Sequence, residues 1–434
     1  MLSSNVSILT HLINFLESAC ANPSSYRSIP RAFTRNRKLG FSRLVVLILS
    51  QVRKSISVEL YEFFDRLGHL EDLCSKSAFT QARYKLKACF FVQWNGHLLR
   101  HFYQSDGVVR WHGWRLIAVD GSQLRLPRKA ALYEHFGRLK ADAVPLAQVI
   151  CCYDLLNQLS IHAQLAPCRK CETKLLLSWL ESLQPDMLLI ADRLYATFEL
   201  MYRLTQANRA FVMRISERFT FVKAFVQSGK KTQVCQVQIS APARKNLLEQ
   251  GYQLPKQKQM IKLRLIRIDL PSGKSQILVS SLLDLESCSL KQFAKLYYKR
   301  WGVETFYDRI KNQFCVQLFS GIAPQAIYQD FFAAILLHNI HSLIIAQAED
   351  VQETKKSELT YPYHINRNVT LAILKIHVHL IFQQKELEKT LIKLEKYFQS
   401  HKQPIRTGRS FPRKKANNRK RNRFALSTNL KRAI

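Results

Sequence analysis

The middle of this 434-residue chain predicts an α/β fold, a mixed sheet flanked by helices. Three observations lead there. Short apolar runs such as Leu116-Ile117-Ala118-Val119 and Met187-Leu188-Leu189-Ile190-Ala191 are closed by turn or helix-start residues, the mark of buried strands. Helical patterns at 172–183 and 197–206 stand between or after such runs. The 111 residues between Asp192 and Glu304 are too many for a simple connection and carry several strand-like runs. The expectation is a sheet domain over 109–215 and 286–345, interrupted by an inserted β-subdomain at 216–285.

Taken in order, residues 1–108 show apolar residues at helical spacing and few strand signals, so an all-α N-terminal domain is expected. Leu44–Leu49 reads as one buried helix, preceded by the basic segment Arg31–Lys38. Ser75–Leu86 reads as a capped helix with a basic face, suited either to a DNA major groove or to packing with its lysines solvated. Strands follow at 114–126, 148–155, 187–192 and 210–215. Within 216–285, strands are expected at 219–226, 232–239, 260–270 and 276–282. Ile261-Lys262-Leu263-Arg264-Leu265 is the clearest half-buried one, and Pro271-Ser272-Gly273-Lys274 marks a hairpin turn. Residues 346–400 read as a C-terminal helical region. From 401 to 434 there are twelve Lys or Arg and no acidic residue, a basic tail expected to be disordered and to bind DNA non-specifically.

Asp120 and Asp192 each end a predicted strand, and the carboxyl ends of strands are where α/β sheets place ligands. A single such aspartate is commonly a cap or turn former; two of them with an acidic helix are a harder coincidence. That helix holds Tyr297-x2-Arg300-x3-Glu304-x6-Lys311. At about 100° per residue, offsets of 3, 7 and 14 fall within roughly 60° of one another, so one face would carry all four side chains. Packing does not explain a polar stripe of this kind, although a solvated face with an Arg300–Glu304 pair would.

Lys plus Arg number 66 against 31 acidic residues, a formal charge of +35, which suits a polyanionic partner. An apolar fraction of 47% excludes wholesale disorder. The start of the chain lacks the basic region and small-residue cleavage site of a signal peptide. Phe331–Ala348, the longest apolar stretch, is interrupted by His338, Asn339, His341, Ser342 and Gln347 and reads as a buried helix, so no membrane partner is expected. Ten cysteines without a framework fit a reducing compartment, and Cys168-x2-Cys171 lacks the second pair of a zinc site.

Val119-Asp120-Gly121-Ser122, Ile190-Ala191-Asp192-Arg193-Leu194-Tyr195 and Tyr297…Lys311 together resemble the three catalytic segments of bacterial insertion-sequence DDE transposases. More narrowly, they resemble the subgroup bearing the Tyr-Arg-Glu-Lys signature, whose spacing is matched without a gap. The resemblance runs from about Trp114 to Asn339. It implies a ribonuclease H-like sheet and cut-and-paste movement of an insertion sequence: inverted-repeat binding, strand cleavage through a hairpin, and strand transfer. Asp120, Asp192 and Glu304 would be catalytic and would hold two magnesium or manganese ions, since hard divalent cations take carboxylate oxygens. Tyr297, Arg300 and Lys311 would contact DNA phosphates, Trp301 would stack on a displaced base, and Arg193 and Arg214 are further candidates for phosphate contact. The implied partners are double-stranded DNA, as transposon ends and target, and a second copy of the chain when ends are paired. A cytoplasmic, nucleoid-associated bacterial location goes with that reading. The alternatives are a catalytically inactive, transposase-derived DNA-binding protein and a metal-dependent nuclease on the same fold.

Overall fold

The structure, a computed structural model, describes residues 2–50, 53–254, 259–270, 273–285, 288–353, 363–382 and 386–405. Five helices come first: α1 (Leu2–Ala21), α2 (Phe41–Leu49), α3 (Ile56–Arg66), α4 (Lys76–Tyr84) and α5 (Cys89–Tyr103). Next come β1 (Arg115–Arg125), α6 (Ala130–Phe136), β2 (Leu146–Asp154), β3 (Leu159–Pro167), α7 (Glu172–Leu177), β4 (Met187–Ala191), α8 (Phe198–Gln206) and β5 (Ala210–Arg214). These lead to α9 (Thr220–Gln227), β6 (Thr232–Gln238), α10 (Ala241–Glu249), β7 (Met260–Asp269) and β8 (Ser275–Ser280). The chain continues through α11 (Leu290–Tyr298), α12 (Trp301–Asp308), α13 (Pro324–Glu353), β9 (Tyr363–Ile365), α14 (Arg367–Phe382), α15 (Leu387–Ser400) and β10 (Lys402–Pro404). It divides into two compact units: 109–123 with 148–307, and 1–108 with 124–147 and the residues from 308 onward.

The first of these units is built on a mixed eight-stranded sheet in the order β3-β2-β1-β4-β5-β8-β7-β6. β1, β4 and β5 run parallel, while β8, β7 and β6 continue antiparallel beyond β5. The strands of 216–285 therefore extend the same sheet, and their segment includes two helices. Period-two alternation places Ile117, Val119, Leu189, Ala191, Phe211, Leu263 and Leu265 on one face, packed with α7, α8, α9 and α10. Leu116, Leu188, Ile190, Val212, Ile266 and Leu278 line the other, covered by Phe293, Leu296 and Tyr297 of α11. β4 is apolar at every position because helices cover both its faces.

Two expectations within this unit need correction. Phe219–Val226, expected as a strand, overlaps α9, whose Val222 and Phe225 are buried at helical spacing. In Ile261–Leu265, expected to be half-buried, Lys262 is exposed but Arg264 is buried. Arg264 turns inward under the Phe293 ring, 4.9 Å from its centroid, and donates to Thr232 Oγ1 and to the carbonyls of Asp284 and Cys288. Of the expected hairpin turn, 271–272 lie outside the described residues; Leu270 N–H donates to Lys274 O, and Gly273 takes a φ of 77° that favours glycine.

The other unit packs α1, α2, α5, α14 and α15 around α13. By length and composition α13 passes the test for a membrane-crossing helix, but it is buried among these helices. Three of its polar residues find partners there: Asn339 donates to Asn95 Oδ1, His341 meets Thr370 Oγ1, and Gln347 accepts from Asn5. α4 starts at the capping Ser75, whose Oγ accepts from Ala78 N–H. On that expected basic helix Arg83 is not solvated. It is buried, and it donates to Asp330, Ser320 and Gln329. Of the basic tail, the residues from 406 onward lie outside the described residues.

Candidate active site

The register of the parallel strands sets up the site. Arg115 pairs with Met187 and Ala118 with Ile190, so the same register two residues further sets Asp120 beside Asp192. On the other side of β4, Leu188 pairs with Ala210 and Ala191 with Met213, so the next step sets Arg214 beside Asp192. Adjacent strands lie about 4.8 Å apart, and side chains of equal parity share a face. Asp120, Asp192 and Arg214 thus form a row across the sheet, at the carboxyl ends of β4 and β5 and, against the expectation that Asp120 ends its strand, midway along β1, which runs on to Arg125. The row lies on the face that α11 covers, since Leu116, Leu188, Ile190 and Val212 have the same parity.

Glu304 reaches this site from the first turn of α12. Two contacts tie α12 to the sheet. Tyr307 OH donates to the backbone carbonyl of Asp120 at 2.8 Å, and Phe306 stacks on Tyr153 of β2 at 4.8 Å. Gly302 allows the close approach: a Cβ there would sit 2.7 Å from Leu155 Cδ2. Burial pushes the Asp120 carboxyl up to about 6, and the charges of Asp192 and Glu304 push the same way against the Gly121 N–H and Arg300. The three acids therefore share one electrostatic environment. Backbone N–H groups engage one oxygen of each aspartate, Gly121 N–H at Asp120 (3.0 Å) and Leu194 N–H at Asp192 (2.8 Å).

Arg300, only 8% exposed, donates through Nη2 to Glu304 Oε1 at 2.7 Å. Among the described residues its buried Nε has no hydrogen-bond partner, which leaves a donor for an incoming oxygen. The guanidinium lies 5.8 Å from the Tyr297 ring centroid and 5.7 Å from that of Trp301. Burial raises the Tyr297 phenol to about 12, with Arg300, Asp192 and Arg214 also acting on it. Trp301 is 45% exposed, and Arg193 and Arg214 are exposed.

The single helical face expected for Tyr297–Lys311 is not formed. α11 ends at Tyr298, and the chain then tightens: Arg300 N–H bonds Tyr297 O, Gly302 N–H bonds Lys299 O and Val303 N–H bonds Arg300 O. Arg309–Gln313 forms a π-turn. Both departures spoil a count based on 3.6 residues per turn. Tyr297, Arg300 and Glu304 remain in the sheet unit, whereas Lys311 lies half-buried in the π-turn of the other unit.

A fourth carboxylate, Glu172 at the start of α7, went unnoticed in the sequence. There it reads as an ordinary first-turn acid favoured by the helix dipole. Among the described residues, His69, Glu71 and Asp72 form a group whose possible metal-ligating atoms lie within 4.8 Å of one another. They are mainly exposed, and the His69–Glu71 and Arg43–Asp72 ion pairs account for their proximity.

The raised Asp120 carboxyl has a consequence for stability. Between the ordinary 3.8 and about 6 the folded chain holds a proton that the unfolded chain releases, so stability from this group falls as pH rises through that window. Asp120→Asn, studied with a chelator present, is expected to gain stability over the parent between pH 4 and 7. Chemical denaturation across that range checks it, and a difference independent of pH would contradict it.

The family model described as "Transposase DDE domain" matches residues 111–340. Over 154 residues the chain is 32% identical to "Putative transposase InsZ" of Escherichia coli (strain K12), covering 33% of this chain and 50% of that protein. The chain thus spans half the length of this curated relative. Among solved structures it is similar to a chain titled as a piggyBac transposase synaptic complex with hairpin DNA. The TM-score is 0.44 and the identity 11%, over 96% of this chain and 87% of that one. At that TM-score the likeness carries no weight for fold or chemistry.

Proposed function

The chain belongs to the transposase DDE domain family, and from that premise we propose that it is a cut-and-paste transposase of an insertion sequence, of the subgroup bearing the Tyr-Arg-Glu-Lys signature. The observation that carries the reading is the Asp120–Asp192 row, with Glu304 in the same electrostatic environment. An Asp120 carboxyl raised by burial and by the charges of Asp192 and Glu304, with buried Arg300 nearby, fits a site for a hard divalent cation. Asp120, Asp192 and Glu304 would hold magnesium or manganese, two ions per site in this reading. Such ions would supply charge stabilisation at the attacking and leaving oxygens of a phosphodiester.

The protein's own groups do the rest. Arg300 holds Glu304 in place and offers its free Nε to a phosphate oxygen; Arg214, at the end of the row, offers a second charge, with Arg193 and Lys311 as outer contacts. Tyr297 donates its hydroxyl, and the exposed Trp301 stacks on a displaced base. In the proposed sequence, water attacks a phosphorus at the transposon end and the P–O3′ bond breaks, freeing a 3′ hydroxyl. That hydroxyl attacks the phosphorus joining the opposite strand to flanking DNA, expelling the flanking 3′ oxygen to form a hairpin. A second water opens the hairpin and restores the 3′ hydroxyl, and the exposed 3′ ends attack target phosphorus atoms, each expelling a target 3′ oxygen.

The domain assignment that goes with this is a ribonuclease H-like catalytic domain at 109–215 and 286–345, with the insertion at 216–285. Residues 1–108 bind the ends, 346–400 form a supporting helical region, and the tail from 401 adds salt-sensitive affinity. Two copies pair the ends on DNA in the nucleoid.

The test is incubation of the protein and magnesium with labelled duplex carrying the end that flanks its gene. Nicked and hairpin products, and joining of a pre-cut end to target, are expected. Binding without cutting would instead show an inactive DNA-binding descendant, and cutting without joining a nuclease.

A further inference from the structure

Beneath the aspartate row, on the sheet face opposite α11, both oxygens of Glu172 are engaged. Gln148 Nε2 donates to Oε1 at 2.8 Å and Tyr195 OH to Oε2 at 3.2 Å. Gln148 Oε1 in turn accepts from Gln123 Nε2 at 3.3 Å. Tyr195 is fully buried and Gln148 nearly so. The carboxyl group rests on Gly121, where any Cβ would overlap it. Gly121 has the parity of Ile117 and Val119, the face covered by α7 and α8. Glu172 therefore touches the residue after Asp120 and a residue three beyond Asp192, from the side away from both aspartate side chains.

We propose that Glu172 is a positioning residue that fixes the spacing of Asp120 and Asp192 by clamping Gly121 and Tyr195 from beneath the sheet. This rests on the cation-holding role given above to the two aspartates. The clamp joins β1 and the turn after β4 beyond their paired residues Ala118 and Ile190: β1 carries Asp120, and the Asp192–Tyr195 turn follows β4. Side chains arranged around metal ligands orient them, and losing one typically costs about 10- to 100-fold in affinity or activity. Gly121 lacks a Cβ because the clamp occupies that space.

The experiment is a Mn2+ titration of the full chain by electron paramagnetic resonance, with end cleavage measured alongside. Glu172→Ala is expected to weaken Mn2+ binding by about 10-fold or more. Glu172→Gln, which keeps the volume and an acceptor for Tyr195, restores most of the affinity. Gly121→Ala displaces the carboxyl group and so weakens binding in the parent. It adds nothing in the Glu172→Ala background, where the space is empty. A merely structural glutamate would give additive losses in this cycle. Unchanged Mn2+ affinity in Glu172→Ala, or additive effects, would overturn the proposal. Parent affinity unaffected by Asp192→Asn would overturn the cation reading itself, and the clamp's role with it.

Discussion

Glu304→Gln is expected to slow cleavage of the transposon end by about 10³-fold or more, with duplex affinity nearly intact. Bound cations contribute several kcal/mol at the transition state, and each ~1.4 kcal/mol is a factor of ten. Glutamine matches glutamate in size and keeps an acceptor for Arg300 Nη2, so the geometry of the α12 turn survives. What is lost is the charge that a cation requires. The substitution also removes the negative charge paired with buried Arg300, so a modest fall in stability accompanies it. Single-turnover cleavage and duplex binding on the same preparation separate the two effects. A rate within tenfold of the parent would remove Glu304 from the catalytic set.

The largest effect on stability is expected at Arg83→Met, a loss of about 3–5 kcal/mol in urea unfolding. Arg83 and Asp330 form an ion pair at 3.0 Å with side chains only 4% and 6% exposed. Arg83 also donates to Ser320 Oγ, to Gln329 Oε1 and to Ala326 O. Its removal takes the paired guanidinium from the buried Asp330 carboxylate, which keeps its hydrogen bonds from Ser320. Replacing Asp330 by Leu in the same chain is expected to recover most of the loss, because two apolar groups leave no uncompensated charge. A single-variant loss under about 1 kcal/mol, the scale of a surface pair, would contradict the reading.

Much of the sheet was legible because its strands are short apolar runs with clear ends. Asp192 could be placed at a strand end for the same reason, whereas Asp120 only ends the apolar run of β1, which continues to Arg125. Their alignment in one row could not be read, because register depends on pairing between strands distant in sequence. β3 was missed: Ser160, His162 and Gln164 interrupt its pattern at a partly covered position. α9 was misread because Phe219, Phe221 and Phe225 mimic alternation, although Phe225 is buried in the core and Phe219 and Phe221 pack at its edge. The Tyr297–Lys311 segment was read as one helix because nothing in its composition announces the tight turn at Lys299–Arg300. The burial of Arg83 and Arg264 was not legible, because a buried arginine differs from an exposed one only in its partners, most of them distant in sequence. Glu172 escaped notice for that reason too: its meaning lies in its contact with Gly121 and Tyr195.

The most direct measurement is the site of Mn2+ binding, followed by electron paramagnetic resonance in the parent, in Asp192→Asn and in His69→Ala. The account expects Asp192→Asn to lose affinity by about 10-fold or more while His69→Ala matches the parent. Binding untouched by Asp192→Asn and abolished by His69→Ala would place the cation at the exposed His69–Glu71–Asp72 group and contradict the account.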